Sequence, residues 1–243
     1  MHNLTQRQIE ILKSIIEEYI ETAEPVGSET LEKKYNLSAS PATIRNEMVK
    51  LSDYGYLKKP HSSAGRIPTP NGMKFYVHEL IRERELSTVE EVQLKEKVWD
   101  YREGSKRFLK ATVKSLAEKT NTIALATTSE GDVYLSGYAN ILDMPEFYDI
   151  DITKSLLSVL DEYDYFQTIF GGVEDDREIH ILIGDELGAR LQGPYSCVFG
   201  TYHTPSHMVG QIGVIGPARL HYTSIIPTVR YFSELIEDVA QGW

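Results

Sequence analysis

The stretch SPATIRNEMVKLS, residues 40–52, decides the fold of the N-terminal part of this chain. A serine followed by a proline is a typical start of an α-helix, because the serine hydroxyl caps a free backbone donor and proline fits the first turn. Ile44, Met48 and Leu51 then lie within about 60° of one another at 100° per residue. We therefore predict a helix over residues 40–52 whose three apolar side chains face the core.

The opposite face of this predicted helix is small, polar and basic, and it has no aromatic residue. Its polar and charged members are Thr43, Arg45, Asn46 and Lys50. Such a face can enter the major groove of DNA, where amide and cationic side chains meet base edges. A solvated helix face is the alternative, and the helix alone does not decide between the two interpretations.

Two helices are predicted before this stretch. Thr5–Gln8 fits a capping box, and Pro25 disfavours helical geometry in the residue before it, so the first helix spans the interval between them. Its predicted core face consists of Ile9, Leu12, Ile16, Tyr19 and Ile20. A short helix from Ser28 and a turn over residues 36–39 follow, with Leu37 predicted to fill the core.

A basic hairpin is predicted after the stretch, over residues 57–67. Its lysines and hydroxyls suit phosphate contact, and Arg66 at its base suits a phosphate or a narrow minor groove. Three helices followed by such a hairpin predict a winged helix-turn-helix domain. The predicted DNA-contacting residues are Ser40, Thr43, Arg45, Asn46, Lys50, Lys58, Lys59, Ser62, Ser63 and Arg66.

The net charge of −11 is unevenly distributed. Residues 1–84 hold 12 Lys and Arg against 11 Asp and Glu, whereas residues 85–243 hold 13 against 25. Within residues 33–74 the balance is eight basic to two acidic residues. This asymmetry indicates one module for a polyanion and a second module with another task.

From about residue 122 the pattern changes to short strands alternating with helices. Strands are predicted at residues 122–127, 133–137, 178–183, 195–202 and 211–215. Helices are predicted over residues 151–170 and 226–240. The fold class is therefore α+β, with a mostly antiparallel sheet and helices against it. The predicted division is a DNA-binding domain at 1–84, a helical connector at 85–119 that could instead be an oligomerisation helix pair, and a regulatory and dimerisation domain at 120–243.

An enzyme is the competing class, and the sequence offers little for it. His203 and His207 are four residues apart, but Pro205 between them argues against a shared helix face and a metal site. Residues 174–176 are acidic without the ligand alternation of a calcium loop, and residues 213–217 lack the lysine of a phosphate loop. We predict no catalytic residue, metal or cofactor.

Composition also bears on the compartment. The single cysteine, Cys197, excludes an internal disulfide and reads as a small buried hydrophobe. The N-terminus lacks an apolar signal core, and no window approaches the length of a membrane span, so a cytoplasmic location is expected.

Several motifs resemble the HrcA family of heat-inducible transcription repressors. In the N-terminal part they are residues 19–28, 42–48, 61–69 and 74–77. In the C-terminal part they are residues 137–142, 145–147, 183–184 and 213–222. The motifs occur in the family's order and cover nearly the whole chain.

The resemblance implies a winged-helix domain, with recognition helix 40–52 and wing 57–67, followed by a GAF-like domain. It also implies a dimer that represses chaperone genes by binding the inverted repeat CIRCE, with a GroEL-type chaperonin as a partner. Typical members carry an additional dimerising domain before the motif at residues 137–142. Here only Thr128–Ser136 bridges that position.

Two further questions stay open at this point. Tyr195, Tyr202, Arg219 and Tyr222 could line a ligand pocket, which would make the protein a regulator of other genes under small-molecule control, or they could pack the sheet. A dimer could use either of two helical stripes, which could also pack within their own domains. The stripes are Met73, Tyr76, Val77, Leu80 and Ile81, and Val229, Phe232, Ile236 and Val239.

Overall fold

The computed structural model describes residues 4–35, 37, 39–160, 162–173 and 177–243. The predicted turn residues Asn36 and Ser38 and the acidic residues 174–176 lie outside these ranges. The chain divides into two compact units, which meet in sequence between Arg82 and Glu83. No helix in the described ranges is long and apolar enough to cross a membrane.

The N-terminal unit consists of helices and one short hairpin. The two strands pair antiparallel, with Leu57 opposite Pro68 and Lys58 opposite Ile67. A π-helical turn at Tyr76–Leu80 continues the fourth helix. The elements are α1 (Gln6–Thr22), α2 (Ser28–Lys34), α3 (Pro41–Asp53), β1 (Leu57–Lys58), β2 (Ile67–Pro68) and α4 (Pro70–Phe75).

Helix α1 is the central helix of this unit. Its predicted capping box is confirmed, because the Gln8 N–H donates to Thr5 Oγ1 at 3.3 Å and the Thr5 N–H donates to Gln8 Oε1 at 2.9 Å. Ile9 and Tyr19 are only half-buried, whereas Ile11 and Ile15 are fully buried. The predicted core face thus omitted two fully buried residues. The buried face is wider than predicted because α1 packs against α2, α3, α4 and β2 together.

The C-terminal unit is built on a five-stranded antiparallel sheet with the order β4-β3-β7-β6-β5. It confirms the α+β prediction. Short 3₁₀ helices occupy Tyr138–Asp143, Pro145–Tyr148 and Gly184–Leu187. The main elements are α5 (Thr88–Trp99), α6 (Ser105–Thr120), β3 (Ile123–Thr128), β4 (Val133–Ser136), α7 (Ile150–Leu160), α8 (Tyr163–Gly171), β5 (Ile179–Ile183), β6 (Tyr195–His203), β7 (Val209–Pro217) and α9 (Tyr222–Ala240).

Both faces of the sheet are covered, as its continuously buried strands require. Helices α6 and α9 pack on one face. On the other face, side chains of α7 and α8 form one apolar cluster with alternate strand residues, including Leu125, Cys197 and Phe199. Helix α6 buries Phe108 and Leu116 and contacts β3, β4 and α9, so it is a packed part of this unit.

Three predicted boundaries differ from the structure. The single helix expected over residues 151–170 is two helices, because Glu162 has the extended backbone of an N-cap. Strand β7 continues to Pro217, which is tolerated because proline ends the strand there. Helix α9 begins at Tyr222 although Pro227 lies within it, and the Thr223 carbonyl that Pro227 cannot bond accepts from the Arg84 N–H at 3.2 Å.

Candidate nucleic-acid interface

Helix α3 presents its apolar side inward, as the sequence predicted. Ile44, Met48 and Leu51 are at most 4% exposed. The predicted N-cap is also confirmed, because the Thr43 N–H donates to Ser40 Oγ at 3.2 Å and Pro41 is the first helical residue. The orientation of the helix is therefore fixed by its own core contacts.

The outward side of α3 divides into free and engaged residues. Arg45 and Asn46 are exposed, and neither makes a hydrogen bond or ion pair within the described ranges. Thr43 is half-buried, and its Oγ1 lies 3.0 Å from Ser40 Oγ. The two free side chains are thus the ones available for a partner without breaking an internal contact.

Lys50 is engaged more firmly than its pattern suggested. Its Nζ lies 2.9 Å from Glu47 Oε1, and Glu47 also accepts from Gln8 Nε2 at 2.9 Å. The hydrogen bond from Lys50 holds the pKa of Glu47 below its usual range. Lys50 therefore has to exchange a carboxylate for any external anion, whereas Arg45 does not.

The hairpin carries its predicted polar residues outward. Lys58, Lys59, Ser62 and Ser63 are all exposed. The Lys59 ammonium donates to the Ser62 carbonyl at 2.9 Å, which shapes the tip without neutralising the charge. Lys58 makes no ion pair in the part of the chain that the structure describes.

Arg66 joins the hairpin to α3. Its Nε donates to Ser52 Oγ at 2.9 Å. Its backbone pairs with Val26 in both directions, at 2.8 and 2.9 Å. A Cβ at Gly65 would lie 2.4 Å from the Val26 carbonyl oxygen, so only glycine permits this close approach. Arg66, predicted as a DNA contact, first serves to hold the hairpin in place.

A groove with a volume of about 480 Å³ lies between the start of α2, α3 and the hairpin. It brings together four of the predicted site residues, namely Arg45, Lys59, Ser63 and Arg66. Its other wall, which the sequence did not predict, is the first turn of α2 at Gly27–Thr30. The start of α2 was recognised, but no local pattern reports its distance from the hairpin.

The enzyme candidates are not brought together. His203 lies 3.4 Å from Glu237, and His207 sits in a left-handed turn with φ of 63°. Among the described residues, no three His, Cys, Asp or Glu side chains are placed to hold a metal ion. Burial raises the pKa of the Cys197 thiol, which disfavours a reactive thiolate.

The proposed ligand-pocket residues of the C-terminal unit pack the sheet instead. The hydroxyls of Tyr195 and Tyr202 donate to backbone carbonyls at 2.7 Å, and Tyr222 donates to the Ala218 carbonyl at 2.7 Å. Arg219 pairs with Glu146 at 2.6 Å. Because these polar atoms already have internal partners, the packing alternative holds.

Both stripes considered for the dimer are largely internal. Met73, Tyr76 and Val77 are at most 5% exposed within the N-terminal unit. Val229 and Phe232 are fully buried, because α9 packs on β6, β7 and α6. The packing alternative therefore holds for both stripes.

The site and fold together define a two-unit α+β protein whose smaller unit exposes a polar helix face beside a basic hairpin. The family model described as the HrcA protein C-terminal domain matches residues 70–226. The chain therefore belongs to the HrcA family, as its motifs indicated.

Curated relatives match nearly the whole length of the chain. A protein of Desulforamulus reducens is 26% identical over 343 positions, which cover 98% of this chain and 99% of that protein. One from Clostridioides difficile is 28% identical over 335 positions, covering 96% and 98%. Both are named heat-inducible transcription repressor HrcA. A crystal structure of a hypothetical protein shares the fold, with a TM-score of 0.77, 18% identity and 98% coverage of each chain.

These relatives are longer than the 243 residues of this chain. At the position where the resemblance places the inserted dimerising domain, β3 and β4 form a tight hairpin. The Thr128 N–H donates to the Asp132 carbonyl and the Gly131 N–H to the Thr128 carbonyl, both at 3.1 Å. Four residues therefore close the gap between the two strands.

Proposed function

We propose that this chain is a sequence-specific DNA-binding repressor of chaperone genes whose N-terminal unit acts as a winged helix. The observation that carries the proposal is that α3 and the hairpin form one fixed surface. The Arg66–Ser52 hydrogen bond and the Val26–Arg66 backbone pair hold it, while Arg45 and Asn46 stay free. The names of the relatives supply the repressor role and the heat-shock setting.

In this proposal the two halves of the surface have different tasks. The amide of Asn46 bonds bidentately to adenine, and the guanidinium of Arg45 bonds to guanine or an adjacent phosphate. Ser40 and Thr43, at the start of α3, contact the phosphates that flank the groove. The hairpin contacts the backbone through Lys58, Lys59, Ser62 and Ser63, with the remaining donors of Arg66 behind them.

The protein acts as a dimer on an inverted repeat of the CIRCE type. One winged helix contacts too few bases and phosphates to reach the 10⁻⁸–10⁻¹¹ M range typical of specific sites. Two copies reach it, because the second unit binds at high effective concentration. Since most residues of both predicted stripes are buried within their own units, the dimer uses other surfaces. The C-terminal unit is the regulatory, GAF-like part. The protein has a GroEL-type chaperonin as a partner and works in the cytoplasm.

Fluorescence anisotropy of the full chain on labelled duplexes tests the proposal. We expect the CIRCE duplex to bind at least about 10³-fold more tightly than a scrambled duplex of equal composition at physiological salt. Light scattering of the complex should give two chains per duplex. Equal affinity for both duplexes would contradict the proposed sequence-specific function, and one chain per duplex would contradict the proposed dimer.

A further inference from the structure

The C-terminal unit contains a second basic surface, which the DNA-binding proposal does not use. A groove with a volume of about 470 Å³ lies between α5 and α6. Four of its eight lining residues are cations, although residues 85–243 are strongly acidic as a whole. The four cations are Lys97, Arg107, Lys110 and Lys114.

Three of these cations have no counterion among the residues that the structure describes. Arg107, Lys110 and Lys114 follow the i, i+3, i+7 spacing that places side chains on one face of α6. Within the described ranges none of them forms an ion pair, whereas Lys97 pairs with Glu118 at 3.2 Å at the other end of the groove. Like charges at this spacing on one helix face repel one another, and an anion in the groove would relieve this repulsion.

A buried hydroxyl adds a second, independent observation. Ser115 lines the same groove and is 2% exposed, yet its Oγ has no hydrogen-bond partner among the residues described. Leaving a buried polar atom unpaired costs free energy, and such atoms call for an explanation such as a ligand. A phosphate oxygen at the groove's wall would accept this hydrogen bond.

The remaining lining fits a small ligand better than an extended polymer. The half-exposed Tyr101 provides an aromatic surface at the rim, and Ala111 keeps the wall open. The volume falls in the range of small-molecule sites, which combine apolar lining with a few convergent polar groups. In addition, α6 begins at Ser105 without a side-chain cap, so its positive end favours an anion near Arg107.

We propose that the groove between α5 and α6 binds a small polyphosphorylated anion, such as a nucleoside triphosphate or an inorganic polyphosphate, through Arg107, Lys110, Lys114 and Ser115. The proposal does not depend on DNA binding by the N-terminal unit, since all of these residues lie in the C-terminal unit. Its chemistry is binding only, and the phosphate groups replace the missing counterions.

Calorimetric titration of the full chain with tripolyphosphate and with ATP, at fixed ionic strength, tests this site. Removing a charged hydrogen bond costs about tenfold in affinity, so Lys110→Ala combined with Lys114→Ala should weaken binding about 100-fold. The matched control is Lys154→Ala, which removes an exposed lysine of α7 and should change nothing. Tighter binding of ATP than of tripolyphosphate identifies a nucleotide, and equal binding identifies the phosphate chain as the ligand.

Ser115→Ala separates a groove site from scattered surface cations. Removing an unpaired buried hydroxyl should leave the melting temperature of the free protein unchanged or raised, while the affinity for tripolyphosphate falls. Unchanged affinity in this variant would overturn the proposal, as would an equal loss with Lys154→Ala or the absence of binding by both probes. If Lys110→Ala combined with Lys114→Ala weakened the binding of random duplex DNA but not of tripolyphosphate or ATP, the groove would be a general polyanion surface. That result would overturn the proposal as well.

Discussion

The cations of the two units differ in their nearest neighbours. In the N-terminal unit, Arg45 and Lys58 stand on the proposed DNA surface without a carboxylate partner in the described ranges. In the C-terminal unit, Arg219, Arg190 and Lys119 each pair with a glutamate at less than 3 Å. On this comparison, we expect a basic residue to be available for a ligand where the fold leaves it without a counterion.

This comparison also explains why composition alone misleads. The net charge of −11 arises in the C-terminal part, although several of its cations form internal ion pairs. In the α5–α6 groove, by contrast, Arg107, Lys110 and Lys114 lack a carboxylate partner within the described ranges, as Arg45 does. The N-terminal unit also contains both kinds of cation, because Glu47 binds Lys50 and Glu18 binds Lys34.

The largest expected effect is on stability, at the buried pair of the C-terminal unit. Arg219 and Glu146 have side chains that are 13% and 10% exposed. Glu146→Ala should lower the free energy of unfolding by about 3–5 kcal/mol, because it removes the carboxylate of a largely buried, bidentate ion pair with Arg219. Urea denaturation followed by circular dichroism measures this loss.

The matched control for that variant is Glu162→Ala, which breaks an equally close but exposed pair with Arg190. Solvent screens such pairs, so a much smaller loss is expected. Equal losses in the two variants would contradict the view that burial makes the Arg219–Glu146 pair structural.

The second effect is on specificity, at the free amide of α3. Asn46→Ala should weaken operator binding by about 1–3 kcal/mol and should have much less effect on random DNA, because an amide reads adenine and a lost base contact costs this amount. The fold should be unaffected, since Asn46 is exposed and makes no internal hydrogen bond within the described residues. Anisotropy on both duplexes measures the two affinities, and equal losses would refute a base contact.

The third effect is smaller and is independent of sequence. Lys58→Ala and Lys59→Ala should each weaken binding to operator DNA and to random DNA by similar factors. Each should also reduce the slope of log K against log salt by about 0.9, the value for one phosphate contact. Titrations between low and physiological salt measure the slope. An unchanged slope for Lys58→Ala would mean that the hairpin does not touch the backbone.

Much of the fold could be predicted because its signals are local. The cap at Ser40, the inward face of α3 and the short apolar runs of the C-terminal strands each follow from residues close in sequence. The break between α7 and α8 could not, because the apolar periodicity continues across it and neither glycine nor proline marks the extended backbone at Glu162. The start of α9 was missed because Pro227 reads as a helix boundary, whereas Arg84 supplies the compensating hydrogen bond from far away in sequence.

The candidate site could be predicted as a list of residues but not as a surface. The spacing of three residues between Glu47 and Lys50 allows the pair that engages Lys50, but the contact of Glu47 with Gln8 of another helix could not be predicted. The positioning role of Arg66 likewise depends on Ser52 and Val26, which approach it only in the folded unit. The resemblance supplied the function, and the structure separated free cations from engaged ones.

The smallest expected effect is a pH dependence of stability, which comes from a carboxylate that is already engaged in internal contacts. Hydrogen bonds from Lys119 and Ser87 lower the pKa of Glu90 to about 2. Because the folded pKa lies below the unfolded value of about 4.3, the stabilisation is fully present above that value and disappears as the pH falls towards about 2. Glu90→Gln should therefore unfold at lower urea concentration than the unchanged chain at pH 6, and the two midpoints should converge as the pH approaches 2. A difference that stays constant over this range would show that the carboxylate charge of Glu90 does not contribute to stability. The N-cap hydrogen bonds with Ser87 would then be its only contribution at the start of α5.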